Sequence, residues 1–187
     1  QLALFSPIIG LPMLVWIGLS PVFLVKDLGL DNLGYAKSQI PIFACLILGN
    51  LALARVSGKV PLGQTVHHAL PLVFLGGLNL FLAGLLPAFT LTGLIVGMSL
   101  LSFAQGLSFA VLYRLTLLAS QAPKGVVAGA MSLIMMFMSA ISIEAFKWLY
   151  VSAHLPWLCF ACAVLAGIYA LLTRPVMRLA MQKNDPA

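Results

Sequence analysis

Charge is what this sequence has least of. Only 7% of its 187 residues are charged, and the acids are just Asp27, Asp31, Glu144 and Asp185. An ordinary soluble domain carries roughly a quarter charged residues, so a water-facing globular surface is excluded. Clusters of Lys and Arg are missing as well. The net charge of +6 comes from single basic residues at the ends of apolar runs, which leaves no footprint for nucleic acid. The three cysteines, Cys45, Cys159 and Cys162, all fall inside apolar segments, where Cys159-x-x-Cys162 reads as packing rather than as a redox or metal pair. A catalytic set is also lacking. His67 and His68 are assigned to one loop and His154 to another, out of reach of any buried serine, so Gly97-Met-Ser99 and Gly106-Leu-Ser108 stand without a base. There is no intramembrane aspartate pair, no metal-ligand spacing and no phosphate-binding glycine loop, which argues against an enzyme and against a bound cofactor or metal. The opening Gln-Leu-Ala-Leu has no initiator Met, basic n-region or cleavage site, so a signal peptide is not expected and the start reads as a cut.

What the chain does have is apolar length: 62% of residues are hydrophobic and the mean hydropathy is +1.10. A spanning helix needs about 20 mostly apolar residues. Segments near 2–25, 35–54, 69–86, 91–113, 125–147 and 156–173 meet that need, which predicts an all-α integral membrane fold of six transmembrane helices. The charge-free stretch from Lys59 to Arg114 is far too long for one crossing, and Pro87-Ala-Phe-Thr90 is the expected turn within it. An even number of crossings puts both ends on one side. Arg55, Lys59, Arg114, Lys124, Arg174, Arg178 and Lys183 share that side, against Lys26, Lys37 and Lys147 opposite, so both ends are expected in the cytoplasm. Trp148, Tyr150 and Trp157 then gather at the outer interface as anchors.

Several features go beyond plain anchoring. The first span carries Pro7, Pro12 and Pro21, each of which frees a carbonyl; such helices either bend harmlessly or line a wet path. In the second span Tyr35, Gln39, Leu46 and Asn50 fall on one helical stripe, which suits a mixed cavity or, equally, a hydrogen-bonded helix seam. Gly93-x-x-x-Gly97 and Gly125-x-x-x-Gly129 have the spacing of close helix approach. Met131, Met135, Met136 and Met138 supply flexible thioethers, fit either for core filling or for a pocket that adapts to differing apolar guests. Glu144 is the only acid in or beside a span, a low-ranking candidate for carrying protons because Lys147 one turn later explains it as an ion pair. The third and sixth spans are nearly free of polar atoms and are expected at the periphery, leaving the first, second, fourth and fifth as the functional centre.

Six segments, in order, resemble the MdfA-type multidrug/proton antiporters of the major facilitator superfamily. They are Leu11-Pro-Met-Leu-Val-Trp-Ile-Gly-Leu-Ser-Pro21, Gln39-Ile-Pro-Ile-Phe43, Gly49-Asn-Leu-Ala-Leu-Ala-Arg55, Arg114-Leu-Thr-Leu-Leu-Ala-Ser120, Lys124-Gly125 and Ile143-Glu-Ala-Phe-Lys147. The resemblance covers nearly the whole chain and implies the C-terminal six-helix half, two inverted three-helix repeats, of a bacterial inner-membrane exporter. It implies that lipophilic drugs leave in exchange for protons, with the proton gradient as energy source and an N-terminal half, absent from this chain, as partner. Carried over by residue, the substrate-lining positions fall on Met13, Leu14, Ile17, Tyr35, Gln39, Leu46 and Met136, to which the stripe adds Asn50. Arg55, Arg114 and Lys124 fall on basic cytoplasmic elements. The family's proton-exchanging acids belong to the other half and have no counterpart here. A stand-alone six-helix channel or assembly protein is the alternative.

Overall fold

The computed structural model describes the backbone of residues 2–57, 59 and 62–182, and the side chains of 10–57, 59, 64–118, 120–151, 157 and 159–171. Lys183, Gly58, Val60 and Pro61 therefore lie outside the described residues, as do the side chains of Pro7, His154, Pro156, Arg174 and Arg178. The chain is a bundle of helices: α1 Leu2–Val22, α2 Asn32–Val56, α3 Leu62–Leu85, α4 Thr90–Ala119 and α5 Lys124–Gln182. No strand occurs among the described residues. Helices satisfy every backbone group internally, which a segment surrounded by hydrocarbon requires. Five helical stretches are long and apolar enough to cross a bilayer, and Cys159–Leu171 adds a shorter apolar one.

Local chemistry sets the turns. Beyond Pro21, α1 widens into a π-helical turn, Phe23–Asp27, in which the Leu28 amide donates to the Phe23 carbonyl at 3.1 Å. Gly29 then adopts φ 66°, a left-handed conformation that glycine takes without a Cβ penalty. Asp31 caps α2 by accepting from the Gly34 amide at 2.9 Å. Pro87–Phe89 form a 3-10 turn between α3 and α4, and the Thr90 hydroxyl fastens it by donating to the Ala83 carbonyl at 3.0 Å.

Helix α5 differs from the expected pair of separate spans. Its backbone is helical through 59 residues, about 90 Å if straight and roughly three times a hydrocarbon core. It is not straight. Gly10 faces Met135, Gly18 faces Ile143 and Asp27 meets Tyr150, so the first limb, Lys124–Val151, runs parallel to α1. Gly77 faces Ala166 and Phe81 meets Phe160, so the second limb, Cys159–Leu171, runs antiparallel to α3. Since α4 is antiparallel both to α1, through Met13–Ser102 and Gly10–Gln105, and to α3, through Ala83–Gly93 and Gly76–Gly97, α1 and α3 point the same way. The two limbs of α5 therefore point in opposite directions, and the chain reverses between Val151 and Cys159. The loop expected after Lys147 is carried instead by helical backbone.

Small residues let the helices close on one another. The Cβ that Gly97 lacks would stand 3.0 Å from the Gly76 carbonyl oxygen, and the one Gly76 lacks 3.0 Å from the Gly97 oxygen. A Cβ on Gly106 would stand 2.6 Å from the Leu46 oxygen, and one on Gly49 would run into the Phe103 oxygen. These approaches seat α3 and α2 on either side of α4, around a core that includes Trp16, Phe23, Ile42, Val73, Met98 and Leu112. His67 and His68 correct the expectation of a loop: both lie exposed on α3, whose helical register begins at Leu62. The backbone at His154 is likewise helical.

Candidate functional site

The candidate residues divide into those that tie helices together and those left open. Trp16 Nε1 donates to Gln39 Oε1 at 2.7 Å, and the Tyr35 hydroxyl lies 3.3 Å from Ser20 Oγ. The N-terminal half of the α2 stripe is thus a hydrogen-bonded seam to α1, the second of the two arrangements the sequence allows. At its other half, Leu46 is half-buried beside α4, while Asn50 is exposed and donates to the Leu46 carbonyl at 2.9 Å. An amide returned to its own helix in this way is satisfied at little cost in hydrocarbon.

Along α1, Met13 turns inward, 4% exposed, with Ser102 Oγ 3.5 Å from its sulfur. Leu14 is half-buried and Ile17 is 50% exposed. Gly10, Leu14, Ile17 and Pro21 follow steps of four, three and four and so form one stripe, which passes from buried at Gly10 to exposed at Pro21. Met136 is 72% exposed on the first limb of α5, beside Phe137 and Leu133, whereas Met131 is buried. Met135 reaches the Gly10 end of the α1 stripe, its methyl 3.5 Å from the position of a Gly10 Cβ. Met13, Tyr35 and Gln39 are thus taken up in packing between helices, while Ile17, Asn50 and Met136 stand exposed, and Leu14 half-buried, on the open surfaces of α1, α2 and the first limb of α5. A small, partly open cavity nearby is a separate feature, lined by Trp16, Leu80, Leu94, Met98, Cys159 and Cys162, and its walls are apolar apart from two thiols.

Glu144 and Lys147 pair at 3.3 Å with both side chains exposed, as the i, i+3 spacing predicts. Arg55, Arg114 and Lys124 stand exposed at the end of the bundle opposite that pair, none in an ion pair among the described residues. No group of His, Cys, Asp and Glu among the described residues is placed to hold a metal.

Sequence reading takes Tyr150 only as an interface anchor, without a partner, and passes over Gln105. The Tyr150 hydroxyl donates to Asp27 Oδ2 at 2.6 Å, linking the π turn of α1 to the first limb of α5; a partner 123 positions away leaves no local signal. Gln105, half-buried in α4, has its Nε2 3.6 Å from the position of a Gly10 Cβ. It could have been found as Gln39 and Asn50 were, as an amide inside an apolar span.

No protein-family model matches the chain. It is similar to the chloramphenicol resistance protein CraA of Acinetobacter baumannii, at 38% identity over 98% of this chain and 43% of that protein. It is 43% identical to the multidrug transporter MdfA of Edwardsiella ictaluri over 74% of this chain and 34% of the relative. The MdfA of Yersinia pestis gives 38% over 75% of this chain. The chain thus spans less than half the length of these curated relatives.

Proposed function

The chain belongs to the family of the MdfA multidrug transporters, matching the C-terminal half of its members, and from that premise we propose that it supplies one half of a bacterial inner-membrane exporter of lipophilic compounds. In this reading a second six-helix half covers the open face of α1, α2 and the first limb of α5. Substrate binds between the halves, which rock to expose it alternately to the two sides in exchange for protons. The chain's ends face the cytoplasm, and the proton-exchanging acids lie in the other half.

The observation that carries the proposal is the composition of that face. From Pro71 onward the exposed surface of α3 is bulky and apolar, with Phe74, Leu78, Phe81 and Leu85 exposed, as suits contact with lipid, whereas Gln64, His67 and His68 keep its first turns polar. The exposed surface of the first α5 limb mixes Gly125, Gly129, Ser132 and Ala140 with Met136 and Phe137. Small residues invite another helix, and a flexible thioether beside an aromatic ring suits varied apolar guests. Export needs no catalytic group of this chain, in keeping with relatives that are named as transporters.

Met136→Asp and Leu14→Asp, made singly in the complete transporter, place a carboxylate where a lipophilic substrate must sit. Drug resistance is expected to fall at least about tenfold at unchanged protein abundance, since a buried unpaired charge easily exceeds the 1.4 kcal/mol that a factor of ten represents. Unaltered resistance in both variants would reject the placement.

A further inference from the structure

We infer that Gln105 is a specificity-determining residue of this transporter, the hydrogen-bonding group that receives the polar end of uncharged substrates; the inference rests on the transport reading above. Four amides lie deep in the spans, and three have partners. Gln39 accepts from Trp16, and Asn50 and Asn79 donate to the carbonyls of Leu46 and Leu75 four residues earlier. Gln105 has no hydrogen bond among the described residues. An unpartnered amide is costly to keep in a bilayer span, and half-buried Gln105 is open on one side, where a ligand can reach its carboxamide.

Its surroundings supply that explanation. Gln105 stands at the corner where α4 meets Gly10 of α1 and the methyl of Met135. Gly10 is the buried end of the stripe that continues through Leu14 and Ile17. An apolar guest laid along that stripe would therefore end against the carboxamide. The absent Gly10 side chain leaves the approach open, and the flexible Met135 thioether can yield to different shapes. One turn earlier along α4, Ser102 is occupied by the Met13 sulfur, so among the described residues Gln105 is left as a free polar group at this corner. With no acid on the stripe, the arrangement suits a neutral compound bearing a hydroxyl, carbonyl or amide. A lipophilic cation without such groups gains nothing from it.

The test compares two probes exported by the complete transporter: chloramphenicol, neutral with hydroxyl and amide groups, and tetraphenylphosphonium, a cation with no hydrogen-bonding group. Gln105→Leu keeps the side chain's bulk and removes its polar atoms. It is expected to raise the KM for chloramphenicol about tenfold, in the range of one lost hydrogen bond, and to leave tetraphenylphosphonium within about twofold. Gln105→Asn, with a shorter carboxamide, should recover part of the chloramphenicol transport. Equal changes for both probes would mean that the amide binds the other half of the protein and would overturn the inference, as would no change for either. A parent protein that exports neither probe would reject the transport reading itself, and this inference with it.

Discussion

Two Gly-x-x-x-Gly sequences occur in this chain, and the fold uses them in opposite ways. In α4, Gly93 and Gly97 are filled: a Cβ on either would come within 3.0 Å of α3, at Ala83 for the first and at Leu80 and the Gly76 carbonyl for the second. In the first limb of α5, Gly125 and Gly129 face nothing within 4 Å. The helices around them differ in the same sense. In the apolar 18-residue core of the span that contains α4, 56% of residues are buried, against 6% in the corresponding stretch of the first limb of α5. Similar spacing in similarly apolar helices thus marks a finished seam in one place and an uncovered surface in the other. The unfilled motif lies on the helix that carries Met136, where a partner half and a substrate are proposed to sit.

Substitutions in the complete transporter can break or sharpen this contrast. The largest effect is expected for Gly106→Val on α4, where a Cβ would sit 2.6 Å from the Leu46 carbonyl oxygen and α2 would have to move away. It should destabilise by about 2–3 kcal/mol, read as a lowered Tm and reduced abundance in the membrane. Gly129→Val tests the open motif: abundance should persist while export falls severalfold, because the added methyls meet the other half only when the halves close. If Gly129→Val instead lost folded protein as Gly106→Val does, the two motifs would be alike and the contrast would fail. Gln39→Leu removes the Trp16 bond across the α1–α2 seam and should cost about 1 kcal/mol, a Tm shift of a few degrees. Smallest of all, Glu144→Gln breaks an exposed ion pair and should change stability by less than about 0.5 kcal/mol, with export intact.

How far the sequence speaks depends on how local each cause is. Apolar length marks the helices because hydrocarbon imposes it, and the turn at Pro87 and the cap at Asp31 rest on residues within a few positions. The course of α5 was harder to read. Lys147 and Pro156 suggested a gap between spans, yet the backbone stays helical through it, since the reversal is set by where α1 and α3 hold the two limbs. The histidines at 67 and 68 were misplaced for a related reason: α3 begins at Leu62, before its apolar core, and a polar first turn resembles a loop. In the candidate site, the stripe of Tyr35, Gln39, Leu46 and Asn50 was visible as a stripe, but its split into a seam and an open end depends on Trp16 and Ser20 of another helix. Gln105, an amide in an apolar run, goes unmarked in the sequence because the Gly10 that gives it meaning lies on another helix.

Met136 and Phe74 offer the most direct test, because both are large, apolar and highly exposed, at 72% and 65%, on opposite kinds of surface. In the complete transporter, with its native cysteines replaced, each position is changed in turn to cysteine and treated with a water-soluble maleimide, with and without saturating drug. Met136→Cys is expected to react and to be protected by the drug, while Phe74→Cys, facing lipid, is expected to stay unreactive. A Met136→Cys that is as inert as Phe74→Cys, or that reacts equally with drug present, would contradict the placing of the substrate on this face.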